Sequence, residues 1–523
     1  MNIVKDDDIR ILLVQYLISL SVGVVFMLNI SNGKVKEILK RYEPIWAIDH
    51  ALSLMGWDLE TYMPRSGVEY RGFATSQLML MRQRLMLELE GLINGVSEDG
   101  LNDYERGILR VIRHELKFYT KVPPSLIEEL SKTTTRASVV WREAKSKGDF
   151  NMFKSHLAKI IDLTRQVADK LGYSGHPYNA LLDLYEENLT VNDLDPLFNK
   201  LISGIKGILN RVDRDTYPTA HELEGVKYDV DEMRVVNEEV AFNILNMPRE
   251  RFRIDTSAHP FTVGMAPGDV RITTRYEGVD FKSTLFSVIH ESGHALYELQ
   301  IDESLAYTPL ARGASTGIHE SQSRFLENII GRSRYFVKLI YPLLKSRLSF
   351  LSKFSEEDVY SYFNTVKPSL IRVDADEVTY NLHIAVRYEL EKKMIEGSVE
   401  VSELPETWNT LMDNYLGVRP RNDSEGVLQD IHWSQGSIGY FPTYTLGNVV
   451  AAMVLDRINK ELDFKNLIEH GHLDPIKDWL RDRIHRWGAV YEPKVLLRRS
   501  LGGEYNPDPL LTYLESKYVK NTY

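Results

Sequence analysis

The 523 residues contain no cysteine, so the chain forms no disulfide, offers no thiol nucleophile, and must hold any metal with histidine and carboxylate. That absence fits a reducing interior, and the cytoplasm is the expected location; it also fits a hot environment, where thermolabile side chains are avoided. No basic block stands out from a net charge of −11, which argues against a nucleic-acid partner. No Pro/Gly/Ser-rich linker and no internal repeat marks a boundary, so residues 34–523 read as a single domain. Apolar content of 43% and charged content of 26% are those of a globular chain able to bury a substantial core.

One uncharged run stands out. Ile11 to Ile30 reaches the length of a membrane span, although Gln15, Ser19, Ser21, Gly23 and Asn29 dilute it. A secretory signal fits poorly, because Asp6, Asp7 and Asp8 spoil the basic start and no small-residue cleavage site follows. Residues 1–33 therefore form an apolar extension with three readings: a membrane anchor, a helix laid on the protein surface, or a start set too early, with Met27 the working initiator. If the run spans, Lys34, Lys36, Lys40 and Arg41 hold the rest of the chain in the cytoplasm. Membrane association is open only to residues 11–30.

What the sequence does hold is His290-Glu291-Ser292-Gly293-His294. Residues four apart share a helix face, so two imidazoles can point at one metal ion with the intervening Glu placed as general base, the arrangement of a metallopeptidase. The helix is expected from Phe281 to Gln300: there is no proline, Asp280 offers an N-cap, and Leu285, Val288, Ile289, Ser292, Leu296 and Leu299 form one stripe. The histidines fall opposite that stripe, so the helix is expected to pack by one side and show them on the other. Gly293, costly inside a helix, points to the close approach of another chain segment. With 14 histidines in the chain, the alternative is a pair of satisfied histidines and no metal.

A third ligand has three candidates, His319, Glu320 and Glu327, on a helix starting near Ser315 or Thr316. Three protein ligands leave a coordination position open, as catalysis needs. From Lys34 to about Asn246 the pattern is helix after helix, broken at Pro64, Pro123-Pro124, Gly172 to Pro177 and Pro218. After Arg253, two extended segments joined by a Pro-Gly turn predict a small sheet that brings Arg271 toward substrate, the alternative being a surface arginine. Pro368 to Asp376 is expected to open a helix running to about Ile395, with Arg372 held by Asp374 and Asp376 and suited to a peptide's terminal carboxylate; a plain intrahelical ion pair is the rival. Between Gly426 and Gly447 lie the loops that shape a site, with Tyr440 and Tyr444 as oxyanion donors and His432 as a substrate ligand or proton shuttle, against a bland reading of aromatic packing. His470-Gly-His472 reads as a helix end with a glycine cap.

Six blocks, His259-Pro-Phe261, Asp269-Val-Arg-Ile-Thr273, His290 to His294, His319-Glu-Ser-Gln322, Ile371-Arg-Val-Asp-Ala-Asp376 and Gly426 to Trp433, occur in the order of the carboxypeptidase Taq family of zinc metallocarboxypeptidases, and the chain resembles that family from about Lys34 to Tyr518. The resemblance implies a mainly α fold, a large helical body with a deep cleft and a small β-sheet beside the zinc helix, like the neurolysin and angiotensin-converting-enzyme group. It implies a homodimer that acts on peptides, removing C-terminal residues with broad specificity. It implies His290, His294 and Glu320 as ligands of zinc, for which cobalt can substitute, and Glu291 as base; beside these, Arg372, Arg271, His259 and Gln429 are expected on the substrate. An oligopeptidase cutting internally and a non-catalytic helical binding protein are the alternatives.

Overall fold

The computed structural model describes residues 28–523; residues 1–27, which carry most of the apolar run, lie outside them. Leu28 and Ile30, inside the segment read as an extension, are buried in the main core. Glu105 accepts from the backbone amides of Ser31 and Asn32, each at 2.7 Å, and Asn32 caps the first helix.

The helices used below are α1 (Gly33–Thr61), α2 (Val68–Glu88), α3 (Asp103–Lys121), α4 (Pro124–Lys147), α5 (Phe150–Leu171), α6 (Val191–Leu209) and α7 (Val230–Glu239). After the sheet come α8 (Phe281–Gln300), α9 (Thr316–Arg324), α10 (Arg334–Arg347), α11 (Tyr380–Glu396) and α12 (Pro442–Ile458). The expected breaks hold: α1 stops before Pro64, α3 before Pro123, and α5 at Gly172, whose φ of 78° no β-carbon residue adopts cheaply. The fold is mainly helical, and among the described residues no helix is long and apolar enough to cross a membrane.

The small sheet has three strands where two were expected. β1 (Phe252–Thr256) pairs parallel with β3 (Asp269–Thr274), and β2 (Thr262–Ala266) pairs antiparallel with β3, giving the order β1-β3-β2. The hairpin was visible as a local Pro-Gly turn, whereas β1 joins through a register that starts at Phe252↔Val270, a long-range pairing with no local signature. The buried face of β3 and the hairpin rest on α8, so the sheet stands beside the histidine helix.

Three local expectations need correction. Asp280 stands at the N-cap of α8 but at φ 53° and without a capping hydrogen bond; its carboxylate instead accepts from the Tyr362 hydroxyl. α8 is buried nearly all round, including Glu291, Gly293, Ala295 and Tyr297, so its histidines face an internal cleft and not an open surface. Arg372 lies in a short 3-10 turn (Arg372–Asp374) ahead of α11, which begins only at Tyr380 because Asp376 accepts the amides of Val378 and Thr379 and starts the helix there.

Candidate active site

α8 and α9 cross at Gly293. A β-carbon there would sit 2.4 Å from the Gln322 carbonyl oxygen and 2.6 Å from Ser323 Cα, so only glycine lets the helices touch. On the far side of α9, a β-carbon at Gly447 of α12 would meet Glu320 Cγ at 2.5 Å. The helix bearing Glu320 is thus seated between two glycines. Its start is fixed by Ser315, which caps Ile318, and by the buried Glu186, which accepts from Ser315 Oγ at 2.6 Å and the Gly317 amide at 2.9 Å.

This seating brings His290, His294 and Glu320 together, with one potential ligand atom from each within 4.8 Å of the others. Glu320 Oε2 lies 3.6 Å from His290 Nε2 and 3.3 Å from His294 Nε2, while its Oε1 accepts from Arg324 Nε at 2.7 Å. Burial alone would raise the Glu320 pKa, but Arg324 and the two histidines hold it well below the usual carboxylate range. Two imidazole nitrogens and one carboxylate without sulfur are a donor set for a divalent ion such as zinc.

The other two candidates for third ligand are where they orient the first two. His290 Nδ1 donates to Glu327 Oε2 at 2.9 Å, which leaves Nε2 free for a metal. His319 Nε2 donates to Glu298 Oε1 at 2.7 Å, so its Nδ1 accepts from His294 Nδ1 at 2.6 Å and His294 Nε2 is also left free. A single tautomer assignment satisfies the whole chain of contacts. Glu327 reaches His290 from a π-helical turn, Phe325–Gly331, that continues α9. Burial lowers the His290 pKa, but Glu320 and Glu327 outweigh it and raise it; at His294 burial wins and the imidazole is shifted toward neutral.

Glu291 points from α8 toward β2, where the Thr262 hydroxyl donates to its Oε2 at 2.6 Å. Thr262 went unnoticed in the sequence, where it is one more strand threonine. Glu291, Thr262, the three ligand candidates, Tyr440 and Tyr444 all line one cleft of about 670 Å3, together with Arg110, Arg312, Glu298 and His319. Tyr440 and Tyr444 stand edge to face, 5.2 Å apart. Burial pushes Tyr440 up to about 12 and Tyr444 well above its ordinary value, so both hydroxyls keep their protons and can donate.

The remaining sequence candidates do not line the cleft. Arg372 lies behind Tyr444, its guanidinium 5.2 Å from that ring, and is held by Asp430 at 2.9 and 2.8 Å and by the Tyr380 hydroxyl at 3.1 Å. Asp374 and Asp376 take no part. Gln429 braces the same layer, accepting from the Arg372 amide and from Arg387. His432 Nε2 is 3.4 Å from the Tyr444 hydroxyl, and burial lowers its pKa to about 4, against the pull of Asp430 and with that of Arg372 and Arg387. Arg271 is engaged by Asp269 at 2.8 and 2.7 Å and lies over the Trp57 ring, while His259 is exposed beside the lining residues Pro260 to Thr262. Asp430, the partner of both buried arginines, stood in the dense Gly426 to Trp433 block, but nothing local tied it to Arg372.

A family model for the carboxypeptidase Taq (M32) metallopeptidases matches residues 34–518. Thermostable carboxypeptidase 1 of Pyrococcus furiosus is 47% identical over 494 residues, 93% of this chain and 99% of that protein; carboxypeptidase 1 of Bacillus subtilis is 36% identical over 500 residues, 92% and 97%. Among solved structures, the Pyrococcus furiosus carboxypeptidase superposes with a TM-score of 0.92 over 94% of this chain and 99% of that one, and the M32 carboxypeptidase of Deinococcus radiodurans, 30% identical, with 0.89 over 94% and 99%. With a match of this extent and relatives of this identity, the chain belongs to the carboxypeptidase Taq (M32) metallopeptidase family.

Proposed function

We propose that the chain is a zinc metallocarboxypeptidase of broad specificity, with Glu291 as general base. The observation that carries this reading is the placement of Glu291, fixed by Thr262 beside two imidazoles and a carboxylate at the wall of an open cleft. His290, His294 and Glu320 would hold the ion, zinc in the first instance and cobalt as a substitute. When bound, such an ion supplies Lewis acidity toward a peptide carbonyl and lowers the pKa of a water. Glu291 takes a proton from the attacking water and passes it to the leaving amine. Tyr440 or Tyr444, protonated and facing the cleft, donates to the developing oxyanion.

Arg372 is the proposed reader of the terminal carboxylate. A guanidinium has five N–H donors, and Asp430 and Tyr380 engage three of them, so two remain for substrate beside Tyr444. In this reading His432 and Gln429 brace the Tyr444 and Arg372 layer behind the cleft wall, and Arg271 and His259 stand beside the strands that carry Thr262. The working form is a cytoplasmic homodimer.

The test is mass spectrometry of a defined peptide of about ten residues incubated with zinc- or cobalt-loaded protein. A ladder losing one residue at a time from the C-terminus is expected. Internal fragments would make the protein an oligopeptidase, and an intact peptide would make it a binding protein.

A further inference from the structure

Glu391 on α11 is completely buried, and three neutral donors converge on its carboxylate. Trp433 Nε1 donates to Oε1 at 2.7 Å, while the Tyr178 hydroxyl at 2.6 Å and the Gly439 amide at 2.9 Å donate to Oε2. Arg387, one turn earlier on the same helix, is already engaged by Asp430 and Gln429. Burial raises the Glu391 carboxyl to about 7 against the pull of the three donors, so a carboxylate is kept here at a desolvation cost that an apolar side chain would not carry. Only the ionised form serves all three donors, because a protonated oxygen would turn a fourth donor on them.

The three donors belong to the two segments that hold Tyr440. Trp433 and Gly439 are the ends of the loop that leads into Tyr440. Tyr178 opens the segment 178–185, whose Tyr185 lines the cleft and stands edge-on to Tyr440 with ring centres 5.3 Å apart. Gly439 permits the close approach: its φ is 97°, and a β-carbon there would lie 2.8 Å from the Leu181 carbonyl oxygen of that same segment. We propose that Glu391 is a positioning residue, which fixes the backbone at Gly439 and so places the Tyr440 hydroxyl for the developing oxyanion. Glu391 does not line the cleft, so it acts through Tyr440 and not on substrate. The proposal rests on the peptidase reading above and deepens it by assigning the oxyanion to Tyr440; Tyr444 takes its place from α12.

Glu391→Gln tests it, because the amide keeps the shape of the side chain but turns an N–H on the donors; far-UV circular dichroism confirms the fold. On a defined peptide, kcat of the metal-loaded variant should fall by about 10–100-fold with KM within about threefold, the signature of an interaction made in the transition state alone. In a Tyr440→Phe background the same substitution should lower kcat by no more than about twofold, since the hydroxyl it positions is gone. Metal affinity, read by chelator competition, should equal that of the wild type. Glu391→Asp keeps the charge but draws the oxygens back by about 1.5 Å, so it should lose kcat likewise, and it serves if Glu391→Gln does not fold. Wild-type kcat in either variant, a loss undiminished by Tyr440→Phe, or a loss of metal affinity overturns the proposal. A wild type that cleaves nothing overturns the peptidase reading and this proposal together, whereas a wild type that cleaves, with any of the results just named, overturns this one alone.

Discussion

Gly293→Ala should cost the protein its metal before it costs the protein its fold. The new β-carbon would lie 2.4 Å from the Gln322 oxygen, 2.6 Å from Ser323 Cα and 2.8 Å from the Gln322 carbonyl carbon. All three are backbone atoms of α9, so no rotamer change relieves them. Reaching ordinary contact requires α9 to shift by about 1 Å, and the space behind it is taken, because Glu320 already rests against Gly447 of α12. Overpacking of this kind costs about 1–3 kcal/mol, while alanine's better helix propensity returns about 1 kcal/mol, so the metal-free protein should lose no more than about 2 kcal/mol. The metal feels the shift more, since ligand bonds tolerate displacements of only about 0.2 Å and Glu320 moves with α9. We expect at least about a 100-fold loss of metal affinity, as great as losing an orienting partner. Competition against a chromophoric chelator measures that loss, and urea unfolding of the metal-free form measures the rest. Gly56→Ala is the control: it lies in α1 with nothing within 4 Å of its would-be β-carbon and should stabilise by up to about 1 kcal/mol. Wild-type metal affinity in Gly293→Ala would refute the argument that glycine seats the Glu320 helix.

Glu291→Gln should lower turnover by about 10²–10⁴-fold with metal content unchanged, since Glu291 lies outside the ligand set; near-normal turnover would sink its role as base. Glu327→Gln should weaken metal binding by about 10–100-fold, read by the same chelator competition, because His290 loses the carboxylate that orients it. His432 is held near 4 in the fold against 6.5 unfolded, so between those values the unfolded chain binds more protons and stability rises with pH. Acidification from 6.5 to 4 should therefore draw up to about 3 kcal/mol from this residue, and His432→Gln should flatten that part of the urea-unfolding profile; an unchanged slope would show that His432 titrates normally.

The His-His-Glu cluster was legible because its grammar is local. Four-residue spacing on one helix, a second helix starting near Ser315 or Thr316, and a glycine without a propensity reason can all be read from neighbours in the chain. What escaped depends on distance in sequence. The Arg372 guanidinium was assigned to its nearest acids, Asp374 and Asp376, yet it pairs with Asp430, 58 residues on, because Asp376 is consumed in starting α11. β1 escaped because parallel pairing leaves no turn to read, and the burial of α8 on every side escaped because periodicity cannot tell a cleft from solvent.

The ambiguity over the third ligand has a chemical cause. A histidine that binds through Nε2 must have its Nδ1 proton fixed, or the ring spends time in the wrong tautomer and orientation. Two such histidines therefore demand two acceptors beside the third ligand, and acceptors for imidazole are drawn from the same residue types as ligands. α9 and the π-turn that follows supply all three groups from nine residues: His319 beside His294, Glu320 beside both Nε2 atoms, and Glu327 beside His290. Spacing could name the trio but not assign it, since it is compatible with each in turn; only the family resemblance singled out Glu320. In the fold, Gly293 and Gly447 flank α9 at Glu320 so that its carboxylate approaches both Nε2 atoms, and the change of pitch after Arg324 brings Glu327 to the Nδ1 side of His290.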